Sequence, residues 1–130
     1  MTVVKLNPDT VPAPTGPYSH GVSTRSTGRT LYIAGQVGVA PDGTLADGFA
    51  AQATQCWLNL VAILAADGMT VHDLVKVNTY VTDVSTVAQL GPVREQFLDG
   101  ARPASTLTVS PALVRADWLI EIEAIAFKAQ

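Results

Sequence analysis

The last strand-like segment of the sequence carries two carboxylates at a spacing that could support proton transfer. It reads WLIEIEAIAF over residues 118–127, with Glu121 and Glu123 two positions apart. In an extended strand such residues point to the same face, at roughly 7 Å spacing. Partial burial would make either one a proton carrier near neutral pH. A second interpretation stays open: a pair of solvated edge charges, or one charge paired with Lys76 or an arginine across the sheet.

A tyrosine hydroxyl, and the space left by a glycine without a side chain, are further candidates for a binding site. Tyr18 follows a Gly-Pro turn in GPYSHG, so a rigid backbone would present its hydroxyl. The alternative is a packed aromatic ring with its hydroxyl at the rim. Gly35 in AGQVG would let a ligand or another backbone approach closely, or it would simply form a bulge.

Other reactive residue types in the sequence favour structural roles. His20 and His72 lack the spacing of metal ligands, so we expect no metal site. Cys56 has no apparent cationic neighbour, which favours a core cysteine over a reactive thiol. The glycine-rich stretch GQVGVAPDG lacks the Lys and Ser/Thr of a phosphate-binding loop.

The segments that would position these residues alternate between strand and helix patterns. Strands are predicted at TVVKL, YSHGVSTRS, RTLYIAGQV, DLVKVNTYVTDV, RPASTLTVS and the C-terminal stretch. YSHGVSTRS and RTLYIAGQV flank a Thr-Gly turn and are predicted to form a hairpin. Residues 1–130 are therefore expected to be one α+β domain, a single sheet with two helices on one face.

Two helices are predicted between these strands. The first is expected to begin after Asp47 as N-cap and to end at Gly68 as the C′ residue. Its apolar residues recur at helical spacing: Ala53, Cys56, Trp57, Leu60, Ile63 and Leu64. The second covers STVAQLGPVREQFLDG, with Ser85 or Thr86 as cap and a possible kink at Gly91-Pro92.

The two faces of this sheet are expected to differ. The helices would cover the face that carries Val75, Val77, Val81, Ile120 and Ile122. The opposite face would carry Asn78, Tyr80, Leu119, Glu121, Ile125 and Phe127. Such a surface is too apolar for water and too polar for a dry core, so we predict a subunit interface that contains a polar cleft.

Composition limits the class of partner. Apolar residues make up 48% of the chain and charged residues 15%, with a net charge of −3. The absence of a basic stripe argues against an obligate nucleic-acid binder. The apolar run LVAILAA is far shorter than the roughly 20 residues that cross a bilayer, so no membrane partner is expected. A single cysteine fits a cytoplasmic location.

Several motifs occur in an order that resembles the RidA family, also called YjgF or endoribonuclease L-PSP. They are GPYSHG, LYIAGQVG, RPAST and IEIEAIA, and the resemblance covers nearly the whole chain. It implies a chorismate-mutase-like fold of the bacillus type and a barrel-like homotrimer with clefts between subunits. It also implies a cofactor-independent deaminase, which hydrolyses small imines or enamines to 2-keto acids and ammonia.

The resemblance assigns roles to individual residues. It places Tyr18 on the family tyrosine, Gly35 (before Gln36) on the cleft-lining glycine and Glu121 on the glutamate that activates water. The family arginine that grips the substrate carboxylate is replaced by Ser105, and Leu107 makes the cleft more apolar. Glu123 is then expected to be a structural or salt-bridging residue.

The missing arginine leaves two hypotheses open. A charge-assisted hydrogen bond contributes about 1.5–3 kcal/mol, so its loss weakens carboxylate binding at least about tenfold. Arg94, Arg102 and Arg115 are the possible replacements. The chain is either a C=N hydrolase or a non-catalytic module that holds a small metabolite, for instance through Ser105, Thr106 and Glu121. An endoribonuclease is the least favoured reading.

Overall fold

The computed structural model describes residues 3–130, which form an α+β fold with two helices on one face of a mixed sheet. The strands are β1 (Val3–Leu6), β2 (Gly21–Thr24), β3 (Gly28–Val37), β4 (Leu74–Val81), β5 (Ala104–Val109) and β6 (Ile120–Ala129). The helices are α1 (Phe49–Ala66) and α2 (Val87–Leu98), each preceding or following a short 3-10 turn. Thr2, which we assigned to the first strand, lies outside the described residues.

The main sheet has the strand order β3-β6-β4-β5. Strands β4 and β5 are parallel because α2 carries the chain back between them, and the other two pairings are antiparallel. The predicted hairpin between β2 and β3 is wrong. Strand β2 pairs with β1 in a separate two-stranded sheet, whereas the ten-residue β3 pairs with the equally long β6. The local turn pattern could not reveal this distant partner.

Helix α1 supplies most of the core. Of its predicted apolar stripe, five residues are fully buried: Ala53, Cys56, Trp57, Leu60 and Leu64. By length and composition alone this 18-residue helix could cross a membrane. The run LVAILAA, which we compared with the length of a membrane span, is therefore only part of the apolar helix. Its buried stripe packs against β3, β6 and α2, as expected for the core helix of a folded domain.

The ends of α1 show which helix signals were correct. Gly48, not Asp47, occupies the N-cap position, with φ 86°, and no side chain caps this end. At the other end Gly68 has φ 69°, and the N–H groups of Gly68 and Met69 donate to Ala65 and Leu64. This is a Schellman motif, which confirms Gly68 as the C′ residue.

Helix α2 tolerates a proline in its first half. Thr86 holds its N-cap position without a side-chain hydrogen bond, and the Asp83 carboxylate accepts from the Ser85 N–H just before it. Pro92 lies inside the helix, which nevertheless continues to Leu98. The helix then ends in two left-handed residues, Asp99 and Gly100.

The sheet has one buried and one half-polar face, as predicted. Val77, Val81, Ile120 and Ile122 are at most 3% exposed beneath the helices, while Val75 is only half-buried, at a shift in register. The outer face carries half-buried polar and apolar side chains: Asn78, Tyr80, Glu121, Glu123 and Ile125. Two residues differ from the prediction, since Phe127 is buried and Leu119 packs against the core.

Candidate functional site

Glu121 lies on the outer face against a gap in β3. It pairs with Val37 on β3 and with Tyr80 on β4. A register shift between Ile33 and Gln36 puts Gly35 in a bulge, and a methyl group on Gly35 would lie 2.8 Å from the Glu121 Cδ. The bulge interpretation of Gly35 is therefore confirmed, and the space left by its missing side chain is occupied by the Glu121 carboxylate; the approach of a ligand to Gly35 stays a prediction.

The second glutamate, Glu123, is held by two hydrogen bonds. The Asn78 Nδ2 donates to its Oε1 at 3.1 Å, and the Tyr80 hydroxyl donates to the same oxygen at 3.0 Å. The Tyr80 bond raises the pKa of that phenol. Within residues 3–130, Glu121 receives no hydrogen bond, so it is the carboxylate left for an incoming group. Lys76 forms an ion pair with neither glutamate and donates to Thr106 Oγ1 at 2.9 Å.

Tyr18 is positioned by its buried neighbour, Ser19. The Ser19 hydroxyl donates to the Arg102 carbonyl at 2.6 Å, and its N–H donates to the Pro103 carbonyl at 3.0 Å. A parallel bridge joins Ser19 to Ala104 at the start of β5. The sequence analysis did not identify Ser19. The signal that could have identified it is alternation: if Tyr18 and His20 point to one side of an extended segment, Ser19 points to the other side, towards the sheet.

Tyr18 borders a cavity of about 280 Å³ at the start of β5. We call it the Arg94 cavity; it is lined by Thr15, Gly16, Tyr18, Arg94, Ser105 and Leu107. The tyrosine hydroxyl accepts a long hydrogen bond, 3.5 Å, from the Thr15 N–H. Three of the predicted site residues, Tyr18, Ser105 and Leu107, are thus brought together by one chain.

Of the three candidate arginines, only Arg94 reaches this cavity. Arg102 forms an ion pair with Glu95, with Nη1 to Oε1 at 3.1 Å and Nη2 to Oε2 at 3.2 Å. Arg115 lies over the ring of Trp118, 5.7 Å from its centroid, beside a different cavity. The Arg94 side chain comes from α2 and is partly buried.

The remaining site residues lie on the other face of the sheet. Ser105 pairs with Val77 and Leu107 with Thr79, both on the helix-covered face. Thr106 pairs with Asn78 on the outer face, where Glu121 and Gly35 also lie. Because side chains alternate along a strand, Ser105 and Thr106 cannot hold one ligand together with Glu121 within a single chain.

Two further residues have local partners. The Gln36 Nε2 donates to the Ala34 carbonyl at 3.1 Å, inside the bulge of β3. The Cys56 S–H donates to the Ile120 carbonyl at 3.8 Å, and burial, with a smaller effect of Glu121, raises the pKa of this thiol to about 12. Cys56 is therefore a core residue and not a nucleophile.

The chain is similar to a known protein family over nearly its whole length. The family model described as Endoribonuclease L-PSP matches residues 9–128. A curated relative from Salmonella typhimurium, named 2-iminobutanoate/2-iminopropanoate deaminase, is 36% identical over 124 residues, which cover 92% of this chain and 94% of the relative.

Two solved structures share the fold over nearly their whole length. A Rid-family protein of unknown function from Yersinia pestis, YyfB, has a TM-score of 0.87 and 36% identity, covering 97% of this chain and 98% of its own. Escherichia coli TdcF with bound serine has a TM-score of 0.73 and 29% identity, covering 97% and 99%.

Proposed function

This chain belongs to the RidA (YjgF, endoribonuclease L-PSP) family, and from that premise we propose that it hydrolyses the C=N bond of a small reactive imine or enamine. One observation carries the proposal: the Glu121 carboxylate faces the Gly35 gap without a hydrogen-bond donor among the described residues. A carboxylate placed in this way can accept a proton from water. The deaminase name of a close relative supports the reaction class.

The proposed reaction needs only water and proton transfers. Glu121 takes a proton from water as the water oxygen bonds to the imine carbon, and the imine nitrogen takes up a proton. The resulting carbinolamine is protonated on nitrogen, the C–N bond breaks, and ammonia leaves as the O–H proton is lost to form C=O. The Tyr18 hydroxyl would orient the substrate. An enamine is first protonated on carbon to give the same imine.

We further propose that the complete cleft forms between copies of the chain. The Arg94 cavity and Glu121 lie on opposite faces of one sheet, so a single chain does not bring them together. The half-polar outer face is of the kind that a subunit interface covers. A homotrimer with three interface clefts would satisfy both observations.

Ammonia release from freshly generated 2-aminoacrylate tests the proposal. We expect the native chain to accelerate release, and Glu121→Gln to reduce it by at least about 100-fold because a proton acceptor is lost. Glu123→Asp, which keeps the charge on the same strand, is the matched control and should retain most activity. A native chain without activity on a panel of 2-imino acids would refute the hydrolase, and full activity of Glu121→Gln would remove that residue from the mechanism.

One observation favours a second candidate, a metabolite-binding module without turnover. Ser105 supplies one hydroxyl and no charge, and Leu107 makes the same cavity wall apolar. Saturable binding of a 2-keto acid, with no ammonia released from any imine tested, would identify the chain as such a module. The acidic net charge of −3 disfavours an endoribonuclease.

A further inference from the structure

We infer that Arg94, on helix α2, is the residue that binds the anionic group of the ligand. The inference deepens the proposed function and rests on it for the place of the cleft. The positive charge that Ser105 cannot supply from strand β5 would then come from Arg94 on helix α2, which lines the same cavity.

The guanidinium of Arg94 is partly buried and incompletely hydrogen-bonded. Its Nε is buried and has no hydrogen-bond partner within residues 3–130. Arg29 and Arg102 are each paired with a carboxylate, Asp67 and Glu95 respectively. The carboxylate next to Arg94 in sequence, Glu95, is therefore already bound to Arg102. A buried N–H that lacks a partner in the protein is well suited to bind an acceptor supplied from outside.

The surroundings of Arg94 favour an anionic partner for its side chain. Burial lowers the pKa of its guanidinium, a shift that the charge of Glu95 opposes, yet arginine remains charged in proteins. A partly buried cation is stabilised most by an anion of fitting shape, and a carboxylate accepts two parallel N–H donors. Among the described residues that line the cavity, none carries a negative charge.

The other lining residues would contact the rest of a ligand whose anionic group is bound to Arg94. Tyr18 and Ser105 provide two hydroxyl groups for the polar end, and Leu107 provides an apolar contact. A short 2-keto acid with a small aliphatic side chain could use all of these groups, and the cavity of about 280 Å³ has room for it.

Titration calorimetry with 2-oxobutanoate, a stable keto acid, tests the inference without any need for turnover. Arg94→Met keeps the aliphatic stem and removes the charge, so we expect its Kd to rise about 10- to 100-fold. Arg115→Met removes the same charge beside a different cavity and should change Kd by less than about twofold. Arg94→Lys, which keeps charge but loses the planar fork, should be intermediate.

Two further measurements make the outcome decisive. Methyl 2-oxobutanoate lacks the charge and should bind wild type as weakly as the acid binds Arg94→Met. In Arg94→Met/Ser105→Arg the guanidinium returns to the strand, and affinity for the acid should recover. Equal binding of acid and ester, unchanged affinity in Arg94→Met, or no binding of the acid by the wild-type chain would each overturn the inference.

The results also separate this inference from the proposed function. Arg94-dependent binding of 2-oxobutanoate without ammonia release from any imine would sustain the inference and refute hydrolysis. Ammonia release that persists in Arg94→Met with an unchanged KM would sustain hydrolysis and refute the inference.

Discussion

At the scale of single residues, the two glutamates of β6 show how identical side chains acquire different roles. Glu123 is held by Asn78 and Tyr80, whereas Glu121 faces a glycine and no donor among the described residues. The difference depends on what each neighbouring strand places opposite, and Gly35 is the decisive neighbour of Glu121. The glycine can be tested directly.

Gly35→Ala should displace the Glu121 carboxylate, because the added methyl group would overlap it. Since the carboxylate ends a flexible side chain, the fold should tolerate the change while turnover falls about 100-fold through misplacement. Ammonia release and urea unfolding measure the two effects. Gly91→Ala is the matched control, because a Cβ there contacts nothing within 4 Å and should leave activity unchanged. Wild-type activity in Gly35→Ala would refute the proposed position of Glu121.

Cys56 allows a second test at this scale. Burial raises the pKa of its thiol to about 12, which favours the neutral form, so little thiolate exists in the folded chain at pH 8. We expect negligible labelling by a thiol reagent in the native state and complete labelling in urea. Stoichiometric labelling of the native chain would show that Cys56 is not held in the core.

Some site residues could be predicted from the sequence and others could not. Glu121, Tyr18 and Gly35 lie in short motifs whose residue types already suggest chemistry. Arg94 was only one of three candidate arginines, because its proximity to Ser105 depends on how α2 packs. Ser19 was missed for the same reason: its bonds to Arg102 and Pro103 join segments more than 80 positions apart.

At the scale of elements, the segment before β2 is fixed to the start of β5 by Ser19. Ser19→Ala would leave the Arg102 carbonyl without its 2.6 Å donor in a partly buried position. We expect a loss of about 1–2 kcal/mol in the free energy of unfolding, together with weaker ligand binding because Tyr18 is less well placed. Urea unfolding measures the first effect and calorimetry the second.

An exposed serine provides the comparison for that change. Among the described residues, the Ser26 side chain donates only to the neighbouring Thr27 carbonyl, so Ser26→Ala should alter the free energy of unfolding by less than about 0.5 kcal/mol. Equal stability of the two variants would show that the Ser19 bonds do not hold the segment to β5.

Elements with strong periodicity were predicted correctly, and long-range pairings were not. The apolar stripe of α1, the alternation in β4 from Lys76 onwards and the glycine at the end of α1 are local signals, and the structure confirms them. The predicted β2–β3 hairpin failed because strand pairing depends on competing partners elsewhere. Strand β6, almost 100 positions from β3, offered a longer apolar face than β2.

At the scale of the whole molecule, Glu121 and the Arg94 cavity lie on opposite faces of one chain's sheet, and the proposed cleft would combine them from two copies. This can be tested by mixing two inactive variants, Glu121→Gln and Tyr18→Ala. If each cleft combines residues of two copies, random mixing in a trimer should restore about one quarter of native activity. The measurement is ammonia release after joint refolding.

Each variant refolded alone is the control for that experiment and should stay inactive. Mixed oligomers that form, as mass spectrometry would show, but recover no activity would place both groups of residues in one chain's site. The overall architecture of α+β with two helices on one sheet face followed from the sequence. The placement of Glu121 and the Arg94 cavity on opposite faces of the sheet could not be predicted, because it depends on which face each residue of β5 points to.

The bridge between Ser19 and Ala104 also bears on solubility. Strand β5 is at the edge of the sheet, and an edge strand presents backbone groups on which another chain can form β-structure. Ser19 covers this edge only at its first residue, while Thr106, Thr108 and Val109 remain exposed along it. Detachment of the Ser19 segment would therefore lengthen the free edge. Conditions or substitutions that release it should shorten the time the protein can be stored before it precipitates.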